Sequence, residues 1–284
     1  MVPVKKISIN GMDGLSLQHS SGSCVELTLY GAHIVSWKNK RGEDLLMLSK
    51  KSLFEKGKPI RGGIPLVFPQ FSDEGLLPKH GFARTSCWKL EKTGEDSSGS
   101  VFALLSLESN SEIRTLWQYD FKVKYLIVLG DSLKLTFSVF NESSSPFSFQ
   151  MAFHTYFSVP RIEQARVEGL KGIPFVDYLA NRNEFQEKQD ALKIGGETDR
   201  VYRNVTNDIQ LVRVAPDNRI TVKKYNMPDV VIWNPWKKKA HTLQDFGDDE
   251  YLSMLCIETG IVYKPHSLAP AERWEGTTEY LPSC

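Results

Sequence analysis

A histidine and a glutamate stand in strand-like runs where a charge is out of place. FSFQMAFHTYFSV (147–159) alternates, so Phe147, Phe149, Met151 and Phe153 share one face. Ser148, Gln150, Ala152, His154 and Tyr156 share the other. The aromatic face is core. His154 therefore looks out of the polar face, as a structural hydrogen-bonding group or as a proton carrier. YLSMLCIETG (251–260) is apolar on both faces, the mark of a strand buried on both sides. Glu258 falls in line there with Met254 and Cys256. A carboxylate at that position is costly unless paired or used, and desolvation would raise its pKa toward that of a general base. The plainer alternative is a glutamate that emerges at the strand end and pairs with an arginine.

Two other stretches gather positive charge. In PIRGGIPLVFPQF (59–71), Gly62 and Gly63 would let a ligand approach their backbone while Arg61 reaches over it. Pro65 and Pro69 stiffen that loop and keep it out of a central ladder. Arg61 otherwise caps a surface loop. LPKHGFAR (77–84) crowds Lys79, His80 and Arg84 around Gly81. In extended backbone His80 and Arg84 share a side, and with Arg61 they would form an anion pocket, since a guanidinium fork matches phosphate or carboxylate oxygens. A solvated basic turn is the bland alternative. Two such stretches so close together favour a small anionic ligand. Asp199, in GGETDRVYRN, sits where a tight turn could present a carboxylate, although aspartate is common in turns for local reasons. The tryptophans of VVIWNPWKKK could stack on a sugar face, but Trp233 ends an apolar strand and is expected to pack.

The elements needed to position these groups are strands. FKVKYLIVLGDSLKLTFSVF alternates with period two on either side of Gly130-Asp131, a hairpin signal. CVELTLYGAHIVSW, VFALLSLES, DIQLVRV, RITVKKY and VVIWN read likewise. Helical signals are few, with a single helical turn expected at DDEYLSM. EDSSGS and NESSSP read as surface turns, because strand patterns resume on both sides. The expectation is one all-β domain over 1–284, a large antiparallel β-sandwich decorated by a few short helices.

Composition narrows the function classes. Over 284 residues, 35 basic and 34 acidic side chains leave a net charge of +1. Nucleic acid or an anionic membrane as the main partner usually demands a basic excess. No apolar segment approaches the length of a membrane span. Cys24, Cys87, Cys256 and Cys284 are scattered without a CxxC pair, which fits free thiols in a reducing cytoplasm. Phosphate-cradling loops, dinucleotide fingerprints, HExxH and GxSxG are absent from the sequence. None of the six histidines pairs at metal-ligand spacing, so no metal site is expected, short of distant ligands converging in a β-fold.

In combination, RGGIPLVFPQF, LPKHGFAR with Trp88, FHTYF, ETDRVY, NPWKKKA, FGDDEY and MLCIE resemble the hexose-6-phosphate mutarotases, or glucose-6-phosphate 1-epimerases, of the aldose 1-epimerase superfamily. The match runs in order from about residue 25 to the C-terminus. The resemblance implies a galactose-mutarotase-like sandwich with its cleft on a concave sheet. It also implies His154 as catalytic acid, Glu258 as catalytic base and Asp199 as a sugar-binding carboxylate. Arg61 and Arg84 would bind the phosphate-bearing end of a hexose 6-phosphate, with Lys79 and His80 beside them, and no cofactor would be needed. Two departures stand out: Lys79 replaces a common Gln before HG, and Thr259-Gly260 follows Glu258. A non-catalytic sugar-phosphate sensor and an epimerase for unphosphorylated hexoses are the alternative readings.

Overall fold

The computed structural model describes residues 3–215 and 218–283. Its strands form three antiparallel sheets of four, eight and nine strands. The hairpin read around Gly130-Asp131 lies inside the nine-stranded sheet as Phe121–Leu129 and Leu133–Asn141. Phe121, Val123, Tyr125, Ile127 and Leu129 are fully buried, and the residues between them are half-buried, as period two requires.

The eight-stranded sheet packs its apolar face on this one. Phe149, Met151 and Phe153 join Val230, Ile232, Leu255 and Ile257 in a core continuous with Tyr125, Phe137 and Val139 of the facing sheet. Each buried phenylalanine contributes about 1.5–3 kcal/mol relative to an exposed one. The four-stranded sheet, Val4–Ile9 to His33–Lys38, adds Leu17, Val25, Leu27 and Trp37 to the same core. The fold is an all-β antiparallel sandwich, as expected.

The Ser-rich pieces are the connections on either side of the strands Val101–Glu108 and Leu133–Asn141. DDEYLSM supplies one 3-10 turn, Glu250–Ser253. Two short helices had no expectation. Ser111–Leu116 is started by Asn110, whose side chain accepts from the Ile113 amide, and Trp236–Ala240 follows Pro235.

Candidate active site

Strand register builds the site. Across the eight-stranded sheet Asp199 lies opposite Trp233, Trp233 opposite Cys256, and Cys256 opposite Tyr156. Paired residues share a face, so one row crosses four strands on the side away from the core. In the adjoining row Val201 faces Val231, and Val231 faces Glu258. Phe153 pairs with Thr259, and the next residue, His154, meets Glu258. Gly260 belongs to this arrangement: a Cβ there would lie 2.0 Å from the Met151 carbonyl oxygen and 2.8 Å from the Ala152 Cα. Only glycine lets the two strands approach closely enough to hold His154 against Glu258.

His154 Nδ1 and Glu258 Oε1 are 3.3 Å apart, with 7% and 2% of each residue exposed. Among the described residues His154 Nδ1 and Glu258 Oε2 are buried without a hydrogen-bond partner. The strand-end alternative, in which Glu258 pairs with an arginine, does not hold; its partner is His154. Burial, reinforced by Asp199, pushes the Glu258 carboxyl well up, while Arg84 and Lys79 pull it down. Burial, then Arg84 and Arg61, holds His154 well below its usual pKa. Tyr156 stacks on the His154 ring at 4.8 Å and 8°. Trp233 meets both rings edge-on.

The RGGIP segment runs alongside. The carbonyls of Gly63 and Pro65 accept from the amides of Tyr156 and His154. The glycines serve the chain rather than a ligand. Cβ atoms at Gly62 and Gly63 would lie 2.4 Å from the Met47 oxygen and 2.1 Å from the Ile34 oxygen, and both residues have positive φ. Buried His33 donates from Nε2 to the Gly62 carbonyl oxygen at 2.8 Å. Arg61 is engaged on two sides: Nε donates to Asp245 and a terminal nitrogen to the Tyr156 hydroxyl, each at 3.1 Å. Burial opposes its charge, but Tyr156 and Asp245 outweigh burial and hold its pKa above the usual value.

LPKHGFAR is not extended. His80 has φ +66°, and Arg84 sits in the 3-10 turn Ala83–Thr85. Both side chains still reach the cleft, together with Lys79. His80 is not the third cation expected of this stretch. It is 8% exposed, its Nδ1 accepts from the Ser72 amide, and burial and then Arg84 keep it neutral. Arg84 donates to the Lys79 carbonyl at 2.7 Å and, among the described residues, forms no ion pair with a carboxylate. Burial and then Arg61 lower its pKa to about 10.

These residues line a cleft of about 410 Å³, within the range of small-molecule sites. Its far wall carries Asp199, Glu197, Tyr178, Trp233 and Lys239. Burial raises Asp199 to about 6 against the pull of Lys79. Every candidate site residue named from the sequence lines this one cleft.

The sequence model of the aldose 1-epimerase family matches residues 13–281. The chain belongs to the aldose 1-epimerase family. It is 39% identical over 275 residues to a proposed glucose-6-phosphate 1-epimerase of Cenchrus ciliaris, covering 94% of this chain and 84% of that one. A proposed glucose-6-phosphate 1-epimerase of Escherichia coli K12 is 34% identical over 238 residues, covering 81% and 77%. Among solved structures, a proposed mutarotase of Salmonella typhimurium superposes with a TM-score of 0.91 at 26% identity, covering 100% of this chain and 94% of that one.

Sequence reasoning missed several residues of this aldose 1-epimerase family site. Tyr156 shares the His154 face in the sequence pattern, a two-residue offset that is the available signal, and in the structure His154 lies between the strands Phe147–Phe153 and Tyr156–Ser158. Trp233 was expected to pack, and it both packs and lines the cleft. Asp245 had no local signal, because its meeting with Arg61 spans 184 residues. Nor could linear spacing show that His154, Cys256 and Glu258 bring one donor atom each within 4.8 Å of one another.

Proposed function

We propose that this enzyme is a hexose-6-phosphate mutarotase that interconverts the α and β anomers of glucose 6-phosphate. The observation that carries the reading is the buried His154–Glu258 contact in a cleft that also holds Arg84, which among the described residues has no carboxylate partner. Glu258 takes the proton of the C1 hydroxyl as His154 delivers one to the ring oxygen. The bond from C1 to the ring oxygen breaks and an aldehyde forms. After rotation about C1–C2 the roles reverse: His154 takes the proton of the C5 hydroxyl as that oxygen adds to the other carbonyl face, and Glu258 returns the proton to O1.

One proton therefore circulates within the pair. The protein's own groups push both pKa values toward a carboxylic acid and a neutral imidazole, the state that closes the open-chain sugar. Opening the ring needs carboxylate and imidazolium. Arg84 and Arg61 hold His154 down, so a phosphate bound to them would relieve His154 and favour its acid form. Asp199 would accept from sugar hydroxyls and Lys79 and His80 would flank the phosphate. The free thiols Cys24, Cys87 and Cys256 fit a reducing cytoplasm.

Magnetisation-exchange NMR between the two anomers of glucose 6-phosphate, with and without protein, tests this. Faster exchange is expected. Tight binding with unaltered exchange would make the protein a sugar-phosphate sensor, and equal acceleration of glucose and glucose 6-phosphate would remove the phosphate from the reading.

A further inference from the structure

Cys256 has no part in the proton transfers, yet it lies in the row next to the residues that do. It is fully buried, two residues before Glu258 on one strand, and opposite Tyr156 and Trp233 on the neighbouring strands. We propose that Cys256, His154 and Glu258 form an inhibitory seat for a thiophilic divalent cation such as Zn²⁺ on the cleft floor. A thiolate, an imidazole and a carboxylate are the three donor types zinc accepts, and this mixture excludes Mg²⁺ and Ca²⁺, which want oxygen alone.

Two observations support the seat independently. The donor atoms lie within 4.8 Å of one another, and His154 Nδ1 and Glu258 Oε1 are already 3.3 Å apart. Bonds of about 2.0–2.3 Å in a tetrahedron separate ligands by roughly 3.3–3.8 Å, so closure needs side-chain movements of about an ångström. Secondly, among the described residues His154 Nδ1 and Glu258 Oε2 are buried polar atoms without a hydrogen-bond partner, and a cation would satisfy the deficit. His154 and Glu258 line the cleft, so the fourth ligand would be water or a sugar oxygen from there. On binding, the thiol proton and any proton held by the His154–Glu258 pair pass to solvent. Arg61, Arg84 and Lys79 oppose a dication while Asp199 assists it, which makes the seat weaker than a dedicated structural site.

The binding claim stands on geometry alone. The inhibition claim rests on the proton-transfer reading above, because a seated cation occupies both groups at once. The test uses full-length protein carrying Cys24→Ser, Cys87→Ser and Cys284→Ser, so that Cys256 is the sole thiol, titrated with Cd²⁺ and followed by the thiolate-to-metal charge-transfer absorption. Saturation at one equivalent is expected, with loss of the band on adding Cys256→Ala. Glu258→Gln, which keeps the thiol, should weaken binding by more than the about tenfold that losing an outer-shell partner costs. Zn²⁺ should slow anomer exchange in the parent and not in Cys256→Ala, and Mg²⁺ should do nothing. No band, or one that survives Cys256→Ala, overturns the seat. A saturated band with undiminished exchange overturns the inhibition. A parent inactive without metal would refute the catalytic reading, and the Cd²⁺ titration would still decide the seat.

Discussion

At the scale of single residues, the two arginines are not equivalent, although the sequence presents them as a pair. Arg84 has no carboxylate partner among the described residues, whereas Arg61 is tied to Asp245 and to the tyrosine stacked on His154. Arg84→Ala should therefore lower kcat/KM for glucose 6-phosphate by about 10- to 150-fold, the worth of a charge-assisted hydrogen bond, and leave free glucose nearly unaffected. Arg61→Ala should harm both sugars, because it also loosens Tyr156 beneath His154; a purely phosphate-specific loss would show that this support is idle. Glu258→Gln and His154→Asn should each reduce exchange by about 10²–10⁴-fold in protein that still folds, measured by the same NMR experiment. Asp199 supplies a pH signature. Its pKa is raised to about 6, so its carboxylate loses charge as pH falls through 6, and KM should rise there. That inflection should vanish in Asp199→Asn, while the substrate phosphate's own ionisation near pH ~6 stays in both. For stability the sign is opposite: a raised carboxylate favours the fold fully at pH below about 3.9, and this contribution is lost as pH rises through 6. His154 and Glu258 were each legible as odd residues in their strands. Their contact was not, since it depends on a register between segments about a hundred residues apart.

At the scale of elements, period two was a sufficient guide wherever one face met the core. It identified Phe121–Leu129, Leu133–Asn141 and Phe147–Phe153 and the faces they bury. It failed at LPKHGFAR, where a left-handed His80 and a 3-10 turn aim the cations by loop geometry that alternation cannot encode. It also left Gly260 as an unexplained departure, which the close approach of two strands now accounts for. Gly260→Ala should destabilise the fold by at least the about 1–3 kcal/mol typical of overpacking, because the two nearest atoms are backbone and cannot turn aside. Chemical denaturation would measure this, and exchange should fall further than the folded fraction does, since His154 and Glu258 would part. Behind the same strands a chain of buried hydroxyls joins the residues that follow the pair. Thr155 meets Tyr280 at 2.6 Å, and Thr259 meets Thr278 at 2.6 Å. Tyr280→Phe removes the hydroxyl with little change of shape, so a drop in kcat at unchanged KM would mark Tyr280 as a positioning residue. A uniform loss of stability alone would mark it as core.

At the scale of the whole molecule, the sandwich and its cleft face followed from strand pattern and family resemblance, while the order of strands within the sheets did not. That order matters for how activity can arise. Phe147–Phe153 lies beside Met254–Leu268, which lies beside Asp229–Asn234, and that strand lies beside Thr198–Tyr202. The last of these to be synthesised, Met254–Leu268, is the central one. Until it emerges, Phe147–Phe153 and the pair Asp229–Asn234 and Thr198–Tyr202 lack the strand that joins them, and Glu258 does not yet exist. The cleft is thus closed to assembly until Met254–Leu268 has been made, and non-local pairing of this kind is slow. A chain truncated before Met254 should show neither exchange nor glucose 6-phosphate binding. During refolding of the full chain from denaturant, recovery of activity should lag secondary structure and coincide with the final tertiary fluorescence change. The strand order that builds the site also makes the site wait for the strand that carries its base.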